Sequence, residues 1–436
     1  MNTNFENFNK SEKDMMKFDV TECNTSFVNS LRRIIISEIE TVGFRTEEYE
    51  QSDIKVIDNN SSLHNEFLLH RFGLIPINTP DIDSYDPSKY KFILNVQHSG
   101  SVSIDVTTKD ITILNLETNV NETNELFFPK NPITNDHILI TRLKPTPDGT
   151  GEKIHMEGKS SKGIGKEHIR FSPVSNVCFI NKIDPSRLED EYKKYVLENS
   201  ENDVSESPEL KSKFMIEESE RCFHLDSNGD PNIFEFTIES CGVMAPETIL
   251  LEGLKQMVVK IKNFMSEFGK SISSQDSSIE IRESKVLMKA FDIVIEGENH
   301  TLGHLLQSHI NTLFKEKNIF VGYMNPHPLE NKIIFRINVK TIKELKDIFT
   351  QTCDELITKC DILSNIVLKE YKKKILFKPG SKISPKSKDK GKSPVDKTKI
   401  TNDIGNESAS GAGGAGGASG AGGAGGAGGA SGAGPA

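Results

Sequence analysis

Two stretches of this chain open a helix in the same way. Residues 24–45 begin Asn24-Thr25-Ser26-Phe27-Val28-Asn29-Ser30-Leu31-Arg32-Arg33 and run on as Ile34-Ile35-Ile36-Ser37-Glu38. Residues 299–314 begin Asn299-His300-Thr301-Leu302-Gly303-His304-Leu305-Leu306-Gln307-Ser308-His309. A polar cap stands before apolar residues at helical spacing in both, so each helix carries a stripe that needs covering. Each follows a short alternating strand that opens Phe-Asp-aliphatic, at Phe18-Asp19-Val20 and Phe291-Asp292-Ile293. Each half also has a long amphipathic helix further downstream. Two related halves with matching apolar faces predict packing of one on the other, a dimer tied into one polypeptide. Phe27, Val28, Leu31 and Ile35 on the first helix, with Leu302, Leu305, Leu306 and Ile310 on the second, are the expected internal interface.

The bulk numbers narrow the class. A chain of 436 residues suggests two to three domains. A net charge of −10 does not suit a chain that binds nucleic acid along its whole surface. That average hides a basic segment, Lys372 to Lys399, with eleven lysines against Asp389 and Asp396. The six cysteines (23, 178, 222, 241, 353, 360) have no C-x-x-C spacing, which argues against a four-cysteine zinc site and against a disulfide scaffold. Reduced thiols in an intracellular compartment are the expectation. Neither a signal peptide nor a run of 18 apolar residues is visible, so no membrane partner is expected.

Periodicity divides the chain. Residues 16–22 predict a strand and 25–42 a helix, with Gly43 as the glycine that closes it. From 47 to 172 the pattern changes to short alternating runs, at 92–96, 102–106, 111–116 and 138–143, which predict a β-rich insert domain. The acidic stretch 181–230 predicts long surface loops. A strand at 233–238 and a helix starting at Pro246 resume the first module, which therefore spans 16–46 and 173–268. The Ser-rich residues 269–287 are expected to be a linker. A second module at 288–375 follows, with strands at 290–296 and 333–339 and helices at 301–314 and 342–374. Residues 376–436, first Lys/Ser-rich and then almost entirely Gly, Ala and Ser, form a tail that cannot bury enough apolar surface to order itself. The fold class is α+β: two pseudo-symmetric modules, the first interrupted by the insert.

Several motifs invite chemistry. Gly158 to Gly163 has a phosphate-loop gap, but Ile164 stands where the lysine belongs, and Gly165-Lys166 is followed by Glu167, which offers no Mg²⁺-binding hydroxyl. A loop that docks another protein fits better: glycine lets a backbone come close, and Lys166, Glu167 and His168 offer polar contacts. His300 and His304 have i,i+4 metal spacing and His309 lies one turn on, without a carboxylate or thiol to complete a site. No catalytic residue, metal ligand or cofactor is expected. Arg32 and Arg33 are either a solvated pair or a grip on a neighbour's carboxylates. The lysine run is either a solvated tail or the binding element of a free-standing nucleic-acid-binding protein.

Taken together, the helix from Thr25 to Gly43 and the run His64-Asn65-Glu66-Phe67-Leu68-Leu69-His70-Arg71-Phe72-Gly73-Leu74-Ile75-Pro76 resemble the third-largest subunit of eukaryotic RNA polymerase II. They are similar to its archaeal D-type counterpart and, more distantly, to the bacterial α subunit. Lys162-Gly163-Ile164-Gly165-Lys166-Glu167-His168 with Phe171-Ser172-Pro173 is similar to a further signature of that third-largest subunit. The second half resembles the eleventh subunit, L-type in archaea, through His300-Thr301-Leu302-Gly303 and Gly322-Tyr323 to Pro326-His327-Pro328-Leu329. The insert lacks the cysteine cluster of some relatives, and His304 and Gln307 stand where the eleventh subunit often has Asn and Arg. Both subunits in one chain resemble the fused arrangement of cytoplasmic large DNA viruses. The resemblance implies two alpha-subunit-like dimerisation modules and a non-catalytic assembly platform of a DNA-directed RNA polymerase, itself a nucleotidyltransferase complex. It implies as partners the second-largest subunit, the largest subunit and the small zinc-binding subunits, with DNA and RNA met only through the complex. Arg32, Arg33, Glu66, Arg71, Lys166, Glu167 and His168 are implied to dock the second-largest subunit. A viral source would place the chain in the viral factory of the host cytoplasm and in the virion.

Overall fold

A computed structural model describes residues 3–12, 14–199, 208–273, 276–317 and 319–376. The tail expected over 376–436 lies outside the described residues beyond Leu376. The chain opens with β1 (Asn4–Glu12) turning back antiparallel onto β2 (Met15–Thr21). Polar composition hides β1 from pattern reading, but its Phe5 and Phe8 set their rings 4.9 and 5.3 Å from Phe18. Asn24 then caps α1 (Thr25–Ser37), its side-chain oxygen accepting the Phe27 N–H at 2.9 Å. The helix stops at Ser37, short of the expected 42, and Gly43 does not close it. Thr41, Val42 and Gly43 instead belong to strand β3 (Glu40–Gly43), because residues 161–164 supply a partner for their backbone.

The region from 54 to 164 is built from β4 (Ile54–Asn59), α2 (Asn65–Gly73), β5 (Tyr90–Gln97), β6 (Ile104–Thr107), β7 (Ile111–Asn115), β8 (Val120–Glu122), the short α3 (Asn124–Phe127), β9 (Leu139–Leu143), β10 (Lys153–Gly158) and β11 (Ser161–Ile164). Five strands form one antiparallel sheet in the order β4-β10-β5-β7-β8, while β6 pairs with β9 and β11 with β3. Phe44, Phe72, Phe92, Leu94, Ile113 and Met156 fill a core of their own beneath it.

β12 (Val174–Asn181), α4 (Pro185–Asn199), α5 (Pro208–Glu217), β13 (Phe234–Ser240) and α6 (Pro246–Ile272) follow. The long loops expected over 181–230 are corrected here: α4 and α5 are helices that meet through aromatic contacts, with Phe214 buried 5.2 and 5.3 Å from the rings of Tyr192 and Tyr195. The chain ends its described part with β14 (Ile279–Glu283), β15 (Phe291–Glu296), α7 (His300–Leu313), β16 (Val321–Met324), β17 (Lys332–Ile337) and α8 (Ile342–Leu376). The linker expected at 269–287 is also corrected. α6 runs on through Ile272, and Ile279 and Ile281 pair with Ile295 and Ile293, so an edge strand occupies part of the Ser-rich stretch.

Two antiparallel four-stranded sheets result, in the orders β1-β2-β13-β12 and β14-β15-β17-β16. The repeated Phe-Asp pair acquires a reason in each. Asp19 is buried and receives Lys182 and the Asn7 amide, and Asp292 is held bidentately by Arg336 at 2.6 and 2.8 Å. Both sheets, α1, α7, α6 and α8 share one continuous hydrophobic core. Phe264 and Phe268 of α6 meet Phe349 of α8 at 5.4 and 5.1 Å, and Met257 Sδ lies 3.6 Å from Cys360 Sγ, so these long helices run antiparallel along each other.

Candidate pairing seam and docking face

The seam is where α1 crosses α7. Phe27, Val28, Leu31 and Ile35 from one helix and Leu302, Leu305, Leu306 and Ile310 from the other are all at most 2% exposed and lie in the same core cluster. Burial of each such side chain is worth about 1.5–3 kcal/mol, and part of it is shared with α6, whose Gly253 lies against Leu31 and Ile35. Polar contacts fix the direction. Asn24 Nδ2 donates to Ser308 Oγ at 3.0 Å, and Ser30 Oγ donates to the Thr301 carbonyl at 3.1 Å. The start of α1 therefore meets the end of α7, and the helices cross antiparallel.

Arg33 belongs to this seam as well. Its Nε donates to Thr301 Oγ1 at 2.8 Å, whereas Arg32 turns back to its own helix and donates to Asn29 Oδ1 at 3.1 and 3.2 Å. His300 touches the Tyr323 hydroxyl at 3.1 Å and His304 sets its ring edge-on to Tyr323 at 5.0 Å. Partial burial, then the charges of His300 and Arg33, hold the His304 imidazole below its ordinary range. His309 points the other way, 3.2 Å from Glu355, and burial pushes it down to about 4. The three histidines thus face two different neighbours. Among the described residues no group of three or more His, Cys, Asp or Glu side chains is placed to hold a metal.

The loop after β11 sits on the end of α1. Lys166 donates its backbone N–H to the Ser37 carbonyl at 2.9 Å. A Cβ on Gly165 would collide with the Ile36 carbonyl, and one on Gly163 would press into the Phe171 ring at 2.7 Å. Both glycines therefore serve close packing within the chain. No helix follows Gly163 directly and Lys166 is exposed, so the strand-to-helix geometry of a phosphate loop is absent here.

The charged neighbours of these glycines form a cluster. Arg45 Nη2 meets Glu167 Oε2 at 2.6 Å and stacks over the Phe171 ring at 5.1 Å. His168 Nδ1 accepts the Arg170 N–H and Nε–H at 3.2 and 3.1 Å. The Arg170 side chain is buried, bonded to the Phe44 carbonyl and Thr46 and 2.6 Å from Glu47. Burial lowers the affinity of its guanidinium for the proton. Gly73 at the end of α2 packs against Thr46 and Arg170, which brings α2 beside the cluster. From α2, Arg71 reaches the Leu139 carbonyl at 2.9 Å, and Glu66 is exposed with Phe67 beside it, 62% exposed.

Of the seven expected docking residues, Lys166, Glu167 and His168 therefore stand together, Arg71 and Glu66 lie on the neighbouring helix, and Arg32 and Arg33 lie along α1. Arg45, Glu47 and Arg170 complete the charged cluster and were not legible as a group, since they meet only through the β3–β11 pairing. A second group escaped pattern reading: Lys260 of α6 bonds both oxygens of Glu38 at 3.1 Å and lies 2.9 Å from Glu298. Its one sequence signal is a lysine inside an apolar helical stripe, between Met257 and Ile261.

Comparison with known proteins falls on two segments. Residues 17–261 match the family described as the RNA polymerase Rpb3/Rpb11 dimerisation domain, and residues 290–365 match a second family of the same description. The chain is 24% identical over 302 residues to DNA-directed RNA polymerase II subunit RPB3 of Schizosaccharomyces pombe, covering 66% of this chain and 95% of that protein. It is 25% identical over 299 residues to a conjugation stage-specific protein of Tetrahymena thermophila, 59% of this chain and 92% of that one. Over 304 residues it is 25% identical to human DNA-directed RNA polymerases I and III subunit RPAC1, 59% of this chain and 82% of that one. One matched span alone covers more than half the sequence, and with two such matches on one polypeptide the chain belongs to the RNA polymerase Rpb3/Rpb11 dimerisation domain family.

Proposed function

We propose that this chain is a non-catalytic assembly platform of a multisubunit DNA-directed RNA polymerase. In this reading it is a fused, pseudo-symmetric pair. A module at 16–46 and 173–268 carries the β-rich insert 47–172, and a second module at 288–375 packs on it within the same polypeptide. The observation that carries the reading is the coincidence of two dimerisation-domain matches with two helices, α1 and α7, that bury their stripes against each other. Arg32, Arg33, Glu66, Arg71, Lys166, Glu167 and His168 are the docking set for the second-largest subunit. Exposure of Lys166, Glu167, Glu66 and Phe67 on adjoining elements supports it. The largest subunit and small zinc-binding subunits complete the complex, and DNA and RNA are met through it. A fused arrangement of this kind is the ground for proposing a viral source, with the viral factory and virion as its locations.

The test is co-expression with the second-largest subunit. Arg32→Ala with Arg33→Ala should leave the chain folded while weakening recruitment roughly 30- to 4,000-fold, the cost of removing one side of buried charge pairs. Polymerase that does assemble should extend RNA at a near-normal rate. Normal assembly with collapsed elongation would refute the platform. Removing residues 376–436 separates the rival reading, since a protein that binds nucleic acid through its lysine run would lose binding and the platform would still assemble.

A further inference from the structure

Lys260 occupies the place where α1, α6 and the entry to α7 meet. Its ammonium donates to both oxygens of Glu38 at 3.1 Å and is ion-paired with one oxygen of Glu298 at 2.9 Å. The three side chains are 13, 19 and 21% exposed, so water screens them little. The Lys260–Glu298 pair joins the part of the chain before 273 to the part after 276. Glu298 immediately precedes Asn299, whose side chain caps α7 by accepting the Thr301 N–H at 2.9 Å. Thr301 in turn accepts Arg33 Nε–H on its hydroxyl at 2.8 Å and Ser30 Oγ–H on its carbonyl at 3.1 Å. An ion pair, the backbone from Glu298 to Asn299 and the hydrogen bonds at Thr301 thus link α6 through the cap of α7 to Arg33.

We propose that Lys260 is a positioning residue for the docking face: it pins the first turn of α7 against α1 and thereby holds Arg33 in place. This rests on the reading of Arg33 as a docking residue. Without Lys260, two carboxylates face each other across a poorly solvated gap, and Glu38 stands at the C-terminal end of α1, where the helix dipole already disfavours negative charge. They separate, and the first turn of α7, whose Asn299 cap directly follows Glu298, shifts away from α1. Thr301 moves with it and Arg33 loses its anchor.

The experiment measures affinity of the co-expressed chain for the second-largest subunit in Lys260→Met, Lys260→Arg, Arg33→Ala and the Lys260→Met/Arg33→Ala double variant. Lys260→Met should weaken binding roughly 2- to 30-fold and Lys260→Arg much less. The double variant should be no weaker than Arg33→Ala alone. Amide exchange of residues 299–306 should speed up in Lys260→Met while β15 stays protected. Should Lys260→Met fail to fold, Glu298→Gln, which leaves the Lys260–Glu38 pair intact, should show the same exchange pattern. Parental binding by a folded Lys260→Met, multiplied effects in the double variant, or unchanged exchange at 299–306 would overturn the proposal. Parental binding by Arg33→Ala would instead overturn the docking reading, and exchange at 299–306 alone would then decide the pin.

Discussion

In the seam, Leu31, Ile35, Leu302 and Leu306 are at most 1% exposed, and the polar groups beside them bond to one another across the two helices. In the loop after β11, Lys166 and Glu167 are exposed, yet the glycines beside them are locked against α1 and Phe171. The two regions touch at α1 and use it differently. One consumes its apolar face; the other uses its C-terminal carbonyls as a shelf for a charged turn. The difference shows that an exposed, charged motif can still be structurally constrained, through its backbone. It also shows that some docking candidates are partly spoken for: Arg33 has Thr301, Arg71 has the Leu139 carbonyl and Glu167 has Arg45.

The sharpest way to break this comparison is to attack the seam. Leu306→Ala should lower stability by about 2–5 kcal/mol, and Leu306→Asp by more, since it buries an unpaired charge. Denaturant unfolding of the isolated chain is the measurement. A stable, fully assembled Leu306→Asp protein would mean that the two helices do not depend on each other. The loop should respond through its backbone: Gly165→Ala forces Ile36 to move and should cost about 1–3 kcal/mol. Its signature is faster amide exchange over residues 161–168 with unchanged protection in α7. Loss of protection in both places would show that the regions are one unit.

Acid offers a gentler probe of the seam's outer edge. His309 is folded as a neutral imidazole with its pKa lowered to about 4, whereas the unfolded chain takes up that proton near pH 6.5. Its contribution is complete above pH 6.5, falls as the pH drops toward 4, and is constant below that. The loss should be about 3 kcal/mol, about two and a half pH units at about 1.4 kcal/mol each. His309→Gln should flatten this limb of a stability-versus-pH curve, and an unchanged limb would assign it to other groups. The smallest effect belongs to the exposed Arg45–Glu167 pair. Glu167→Gln should change stability by less than about 1 kcal/mol. Any larger effect on subunit recruitment would then separate docking from folding at that position.

Much of the architecture was readable in the residues themselves. The stripes of α1 and α7, the long helices, the glycine-rich turn and the Phe-Asp strand openings follow from spacing alone, because amphipathic period and capping are local properties. Three expectations failed for non-local reasons. Residues 40–43 became strand rather than helix end because 161–164 lay alongside, and part of the Ser-rich stretch became β14 because β15 had a free edge. Helices α4 and α5 formed where loops were expected, with Tyr192 and Tyr195, one turn apart on α4, packed on Phe214 of α5.

The site divides in the same way. Sequence determined which residues are apolar, which can cap and which carry charge, and so which helix faces had to be covered. Tertiary structure decided who covers them: that Arg33 reaches Thr301, that Arg170 is buried beside Glu47, and that Lys260 holds Glu38 and Glu298 together. An apolar stripe is satisfied by any surface of suitable shape, so its burial can be read from one helix. A buried charge is stable only where a partner sits within about 3–4 Å, and that distance exists only after the chain has brought together residues 222 and 38 positions apart in sequence.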